Sequence, residues 1–308
     1  MKVFIELPTW LGDSIMATPA IEKIANFFND SELIFIGSVA AIETLKNHPK
    51  AIQSYVLEKN YLSLYKAIKS FDECDVFFSF RSSFRSNFLK FFISAKRKYQ
   101  FNKNKFINGH QVEKYNNFVN ECLNLNSTAS KLILHTKRNA KKGKNKLLGV
   151  NPGSSYGSAK RWYPEEFALV AAELSNEYDI IIFGGAGEHD IARDIENYLI
   201  EYGVSNYQNL VAKTNIKELI AQISTLDFFI TGDSGPMHLA AALQIPTVSI
   251  FGPTKDEETS QWMNQKSVIV KKNLECQPCM KRTCPLKHHN CMRLIQSSDV
   301  LEAVRKLN

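Results

Sequence analysis

Short apolar runs rich in β-formers alternate with stretches of helical periodicity along this chain, an order that few folds can accommodate. Val3–Leu7, Leu33–Gly37, Ile52–Leu57 and Val76–Phe80 read as strands, and Ser14–Phe28 and Tyr61–Ser70 as intervening helices. Strand, helix and strand in succession make the parallel βαβ unit, so the expected class is α/β with parallel sheets. The alternation restarts with Leu147–Asn151, Asp179–Phe183, Phe228–Thr231 and Thr247–Phe251, with helices from Pro164, around Ile191, from Asn215 and from Pro236. Between the two series lies the run 137–146, which is polar, self-repelling and poor in core residues, and reads as a linker. A chain of 308 residues, 44% hydrophobic, can fill two cores. The expected domains are 1–146 and 147–308, with a final helix over 298–308 packing back toward the first. Their sheets are expected to face across a cleft, strand carboxyl ends inward, where open α/β sheets bind ligands.

Charge divides the same way. Residues 1–149 hold 23 Lys and Arg against 12 Asp and Glu, net +11, whereas the remainder is net −4. A basic half of this kind suits a large anionic partner. Nucleic acid is not expected, because neither zinc-finger spacing nor an aromatic RNA-binding signature is present. Glu6 and Pro8 interrupt the first apolar stretch before it reaches signal-peptide or membrane-span length, and six cysteines without an export signal suit a reducing compartment. The expected location is the cytoplasm.

Three strand ends carry candidate chemistry. After Phe228–Thr231 comes Gly232-Asp233-Ser234-Gly235-Pro236-Met237-His238, where a helix N-terminus offers N–H groups to phosphate; alternatively Asp233 or Ser234 simply caps the helix. After Leu147–Asn151 comes Pro152-Gly153-Ser154-Ser155, followed by Lys160 and Arg161, a small-residue loop beside a positive point charge suited to a departing diphosphate. The five residues Gly153–Gly157 also match the nucleophile-elbow pattern, with Asp233 and His238 in triad order, so a serine hydrolase is one alternative. Against it, a polar stretch separates Ser155 from the helix at Pro164. In the first half, Asp13 follows Gly12 at a helix start, where it is either an N-cap or a general base.

Taken together, Leu11-Gly12-Asp13 with Thr18-Pro19-Ala20, Asn151-Pro152-Gly153-Ser154 through Lys160-Arg161-Trp162, the turn 232–238, and Cys276-Gln277-Pro278-Cys279 followed by Cys284 and Cys291 resemble the bacterial ADP-heptose:lipopolysaccharide heptosyltransferases of glycosyltransferase family nine, in particular their heptosyltransferase II branch. The resemblance spans nearly the whole chain. It implies a GT-B fold of two Rossmann-like domains and an inverting transfer of L-glycero-D-manno-heptose from ADP-heptose to the first heptose of the lipopolysaccharide or lipooligosaccharide inner core, with Asp13 as base. It further implies that Ser154, Ser155, Lys160, Ser234 and Gly235 hold the ADP phosphates, and that Asp233 and His238 meet the donor sugar. The ribose-binding acid is Glu188 or Asp190, and Glu188 is preferred. The alternatives are heptosyltransferase I, another ADP-sugar transferase, or a non-catalytic nucleotide-sugar-binding module.

No Asp-x-Asp pair is present to hold Mg²⁺ on a diphosphate, so no cofactor is expected to be required. Cys276, Cys279, Cys284 and Cys291 have a spacing that could hold a structural zinc ion; the alternative is a reduced, packed loop. Arg81 and Arg85, with Lys90, Lys96, Arg97 and Lys98 nearby, form a candidate basic surface for a heptosylated Kdo-lipid A acceptor at the inner membrane.

Overall fold

The computed structural model describes residues 1–58, 60–136 and 145–307. The chain divides into two compact units, Met1–Lys137 and Arg138–Asn308. Most of the run read as a linker lies outside the described residues; its last residue, Lys146, opens a strand.

In the first unit β1 (Lys2–Glu6), β2 (Glu32–Gly37), β3 (Ala51–Val56), β4 (Cys74–Ser79) and β5 (Ala95–Gln100) form a parallel sheet in the order β3-β2-β1-β4-β5. The connecting helices are α1 (Leu11–Met16), α2 (Thr18–Phe27), α3 (Val39–Leu45), α4 (Tyr61–Lys69), α5 (Phe84–Phe92) and α6 (Gln111–Leu123). Strand alternation sends Phe4 and Phe77 into a core with Leu64 and Ile68 of α4 and Leu89 of α5. On the other side Phe78 meets Phe118 of α6. The single helix expected over 14–28 is two: it begins at Leu11 and breaks at Ala17, because Pro19 sits in the opening turn of α2 and cannot continue the preceding helix.

In the second unit β6 (Lys146–Asn151), β7 (Tyr178–Ile182), β8 (Tyr207–Asn209), β9 (Phe228–Gly232), β10 (Thr247–Ile250) and β11 (Ser267–Val270) are ordered β11-β10-β9-β6-β7-β8, again parallel. Helices α7 (Pro164–Leu174), α8 (His189–Glu201), α9 (Ile216–Ile223), α10 (Gly235–Ala242), α11 (Asp256–Thr259), α12 (Asn290–Arg293) and α13 (Ser297–Arg305) complete it. Read from β8, this is the 3-2-1-4-5-6 order of a dinucleotide-binding sheet, and the first unit repeats five strands of it. Chain direction across the sheet reverses between β1 and β4 and between β6 and β9, so the loops leaving those strands open into the crevices where such sheets bind ligands. Val300, Ala303 and Val304 of α13 are buried in the second core, against α7, β10 and β11. Three apolar residues on one helical face drive it there.

A partly buried clasp ties the chain following α6 to α2. Ile133 N–H donates to Thr18 Oγ1 (3.0 Å), and His135 Nε2 lies 2.6 Å from Glu22 Oε1. His48 Nε2 lies 3.1 Å from the same oxygen. The three ligand atoms lie within 4.8 Å of one another, as a metal site requires. However, His48 Nδ1 accepts the Lys50 N–H (3.1 Å), which leaves the neutral ring's proton on Nε2, toward Glu22. The trio is therefore assembled as a proton-bearing clasp. Burial pushes the Glu22 carboxyl up, but hydrogen bonds and charge from His48 and His135 outweigh it and hold the group below its ordinary 4.5. A lowered carboxyl stabilises the fold above its unfolded value and ceases to do so as pH falls through its folded value. Glu22→Gln is expected to lose about 1–3 kcal/mol at pH 7. Denaturant titration should show that deficit in full above about pH 4.5 and closing in more acid solution; a deficit independent of pH would assign it to packing.

Candidate active site

The second unit gathers its candidate residues where β6 and β9 diverge. Ser234 is the N-cap of α10, with extended backbone (φ −151°, ψ 169°) and no side-chain capping hydrogen bond. Asn151, at the end of β6, donates to Ser234 Oγ (3.1 Å) and Thr231 Oγ1 (3.3 Å), and the two hydroxyls lie 3.2 Å apart. Nor does Asp233 cap the helix. It is buried, its Oδ2 lies 2.5 Å from Lys160 Nζ, and it accepts Thr254 Oγ1 at 2.6 Å. Neither side chain that could have made this an ordinary capped turn does so. The helix dipole and first-turn amides stand beside a fixed ammonium, an arrangement that attracts phosphate.

Lys160 ends a 3₁₀ turn over Ser158–Lys160 and lies 4.7 Å from the Tyr156 ring centroid. Ser154 is buried and Ser155 exposed. Arg161 directs Nη2 toward Ser154 O (3.5 Å), while its Nε is buried without a partner. The Glu188 carboxylate accepts the Gly185 N–H (2.6 Å), and the Glu188 N–H donates back to Gly185 O (3.1 Å). Its carboxyl lies over Gly153, so close that a Cβ there would sit 2.0 Å from it. The acid after the second strand of this unit therefore stands beside the loop after the first. Asp190 is exposed and paired with Arg193 (2.8 Å). His238 is buried in the first turns of α10. The elbow geometry of a hydrolase is absent, since Ser155 lies in a loop nine residues before α7 and Asp233 is committed to Lys160.

The four-cysteine segment supports this loop from below. Ala159 N–H donates to Arg282 O (3.0 Å), Tyr156 Oη to Met280 O (2.7 Å), and His289 Nε2 lies 2.9 Å from Ala159 O. Cys276, Cys279, Cys284 and Cys291 line one small cavity with His288. Burial, followed by the charge of the other three cysteines, pushes the Cys291 thiol up to about 11. Gly157 takes φ +156°, and a Cβ on it would lie 2.3 Å from the Arg282 carbonyl oxygen. Because that neighbour is backbone, Gly157→Ala is expected to destabilise the unit by about 1–3 kcal/mol, read from chemical denaturation. A neutral result would mean that the two segments separate freely.

In the first unit Asp13 occupies the third position of α1, and Trp10 is the N-cap, so Asp13 is not the capping residue. It is half-buried. Tyr115 senses both Asp13 and Arg81: burial pushes its phenol well above the ordinary value, the Asp13 carboxylate adds to this, and Arg81 opposes it. Arg81 Nη1 lies 3.4 Å from Glu6 Oε1, and the Arg85 guanidinium donates to Glu58 O. Glu6 escaped the sequence reading. It is fully buried at the end of β1, accepts Ser79 Oγ (2.5 Å) and Ser86 Oγ (3.0 Å), and has its pKa raised by burial against the opposing pull of Ser79 and Arg81. A lone acid ending an apolar strand was the available signal. Asn151 and Thr254, which hold Ser234 and Asp233, were likewise not assigned these roles.

Among the described residues no helix is long and apolar enough to cross a membrane. The family described as glycosyltransferase family 9 (heptosyltransferase) matches residues 64–290. The chain is 42% identical over 321 residues to lipooligosaccharide heptosyltransferase 2 of Campylobacter jejuni, a match covering 100% of this chain and 98% of that protein. E. coli ADP-heptose lps heptosyltransferase II superposes with a TM-score of 0.83 at 19% identity, over 100% of this chain and 98% of the other. E. coli heptosyltransferase WaaC with ADP gives 0.81 at 14% identity, over 100% of both chains. The two Rossmann-like parallel-sheet domains are thus of the GT-B class. With the family's pattern running through both units and a relative of this identity matched end to end, the chain belongs to glycosyltransferase family 9, the heptosyltransferases.

Proposed function

We propose that this chain transfers L-glycero-D-manno-heptose from ADP-heptose to the first heptose of the lipopolysaccharide or lipooligosaccharide inner core, with inversion. The observation that carries the reading is the uncapped N-terminus of α10 beside the Lys160–Asp233 pair. In the proposed reaction Asp13 takes the proton of the acceptor hydroxyl as its oxygen attacks the anomeric carbon, and the bond from that carbon to the ADP oxygen breaks. ADP leaves toward Lys160 and the α10 amides, with Ser154, Ser155, Ser234 and Gly235 holding its phosphates. Glu188 takes the ribose, Asp233 and His238 the sugar, and Arg81 and Arg85 the phosphorylated acceptor, a heptosylated Kdo-lipid A. Fixed donors and an ammonium supply the charge stabilisation, so no dissociable metal is needed. The reaction is assigned to the cytoplasm, with peripheral contact at the inner membrane.

Mass spectrometry after incubation with ADP-heptose and acceptors bearing zero, one or two heptoses tests the reading. One heptose should be added to the one-heptose acceptor. Addition to the heptose-free acceptor would assign heptosyltransferase I, and addition to none would remove the activity.

Cys276, Cys279, Cys284 and Cys291 line one cavity with His288, but among the described residues it is Glu22, His48 and His135 whose ligand atoms gather closely enough for a metal ion, which favours a reduced, packed loop over a structural zinc site. Metal analysis of gently purified protein is expected to find no stoichiometric zinc; one zinc per chain would make the segment a structural metal site.

A further inference from the structure

Helices α4 and α5 face their sheet with Leu64 and Ile68 and with Leu89 and, just past the helix end, Ile93. A surface helix that buries such a stripe ordinarily presents polar residues on its other side. Here that side also carries large exposed apolar groups: Leu62 is 72% exposed, Phe84 78% and Phe91 76%. Phe84 and Phe91 are two turns apart, on one face. The rings connect across the helix pair, Tyr61 with Phe88 at 5.4 Å and Tyr65 with Phe92 at 5.2 Å, and Phe91 meets Phe92 at 4.9 Å. Tyr61, Tyr65, Phe88, Phe91 and Phe92 thus form one linked aromatic patch, with Leu62 and Phe84 exposed on the same two helices, and an exposed apolar patch marks an interaction site.

The surrounding charge identifies the partner. Neither helix contains an Asp or Glu, while Lys66, Lys69, Arg85 and Lys90 are all cationic. We propose that this face docks on an anionic lipid surface, its aromatic and leucine side chains entering the boundary between headgroups and acyl chains and its lysines meeting the lipid phosphates. A second copy of the chain is a poorer occupant, because it would set like charges against one another. The inference rests on the membrane contact proposed above and locates it on α4 and α5.

Sedimentation of the full chain with vesicles tests it. Wild type is expected to bind phosphatidylcholine vesicles containing phosphatidylglycerol about tenfold more tightly than phosphatidylcholine alone, with affinity falling as salt rises. Leu62→Ser/Phe84→Ser/Phe91→Ser and, separately, Lys66→Glu/Lys69→Glu should each weaken that binding about tenfold or more. Both should keep the wild-type circular dichroism spectrum and transfer to a lipid-free acceptor; the charge variant carries the test if the apolar one unfolds. Binding that survives the charge variant, or that is equal on neutral vesicles, overturns the proposal. So does self-association of wild type that the apolar variant abolishes. A chain that docks through this face but transfers no sugar would retain this inference and lose the proposed reaction.

Discussion

Asp13→Ala is expected to reduce heptose transfer by about 10²–10⁴ while leaving ADP binding intact. Asp13 stands at the third position of α1 and is not its cap, so its removal takes no capping hydrogen bond from the helix. An unchanged circular dichroism spectrum would assign the lost turnover to chemistry and not to unfolding. Asp13→Asn preserves the shape without the basicity and should fail to the same degree. Single-turnover kinetics alongside ADP titration separates the outcomes, and transfer at the wild-type rate in either variant would move the base elsewhere.

Lys160→Ala is expected to lower kcat by about 10²–10³, the usual consequence of removing one fixed group from developing negative charge. It should also destabilise the second unit. Asp233 is only 5% exposed and Lys160 12%, so truncating the lysine strands a buried carboxylate, at a cost of about 3–5 kcal/mol. The double variant Lys160→Ala/Asp233→Asn removes the stranded charge and should recover most of the stability without recovering activity. Calorimetry and steady-state kinetics on the single and double variants give both readouts. If stability and turnover return together, the lysine is structural.

The parallel sheets were legible because their inner strands are buried on both faces and read as apolar runs, as in Val3–Ile5 or Phe228–Ile230. Of the edge strands β3 was read, at Ile52–Leu57, but β5 and β8 were not. β5 is Ala-Lys-Arg-Lys-Tyr-Gln and β8 only three residues, and both lie at sheet edges where one side need not be apolar. Helix α6 was missed among its asparagines, although Val112, Tyr115 and Val119 recur at helical spacing on its buried face. The candidate loops were legible for a topological reason, since ligand loops follow the strands at which chain direction reverses. The Lys160–Asp233 pair was not, because it joins residues 73 positions apart through side-chain geometry that no local pattern encodes. The same holds for Asn151 and Ser234, 83 apart.

The Gly232–His238 turn forgoes a side-chain cap worth about 0.5–2 kcal/mol, because Ser234 is drawn toward Asn151. A nucleotide phosphate seated there would itself serve as the missing terminus of the helix. Substrate and secondary structure then become thermodynamically linked: occupancy suppresses fraying of α10, and the folded ensemble tightens with ligand concentration by mass action.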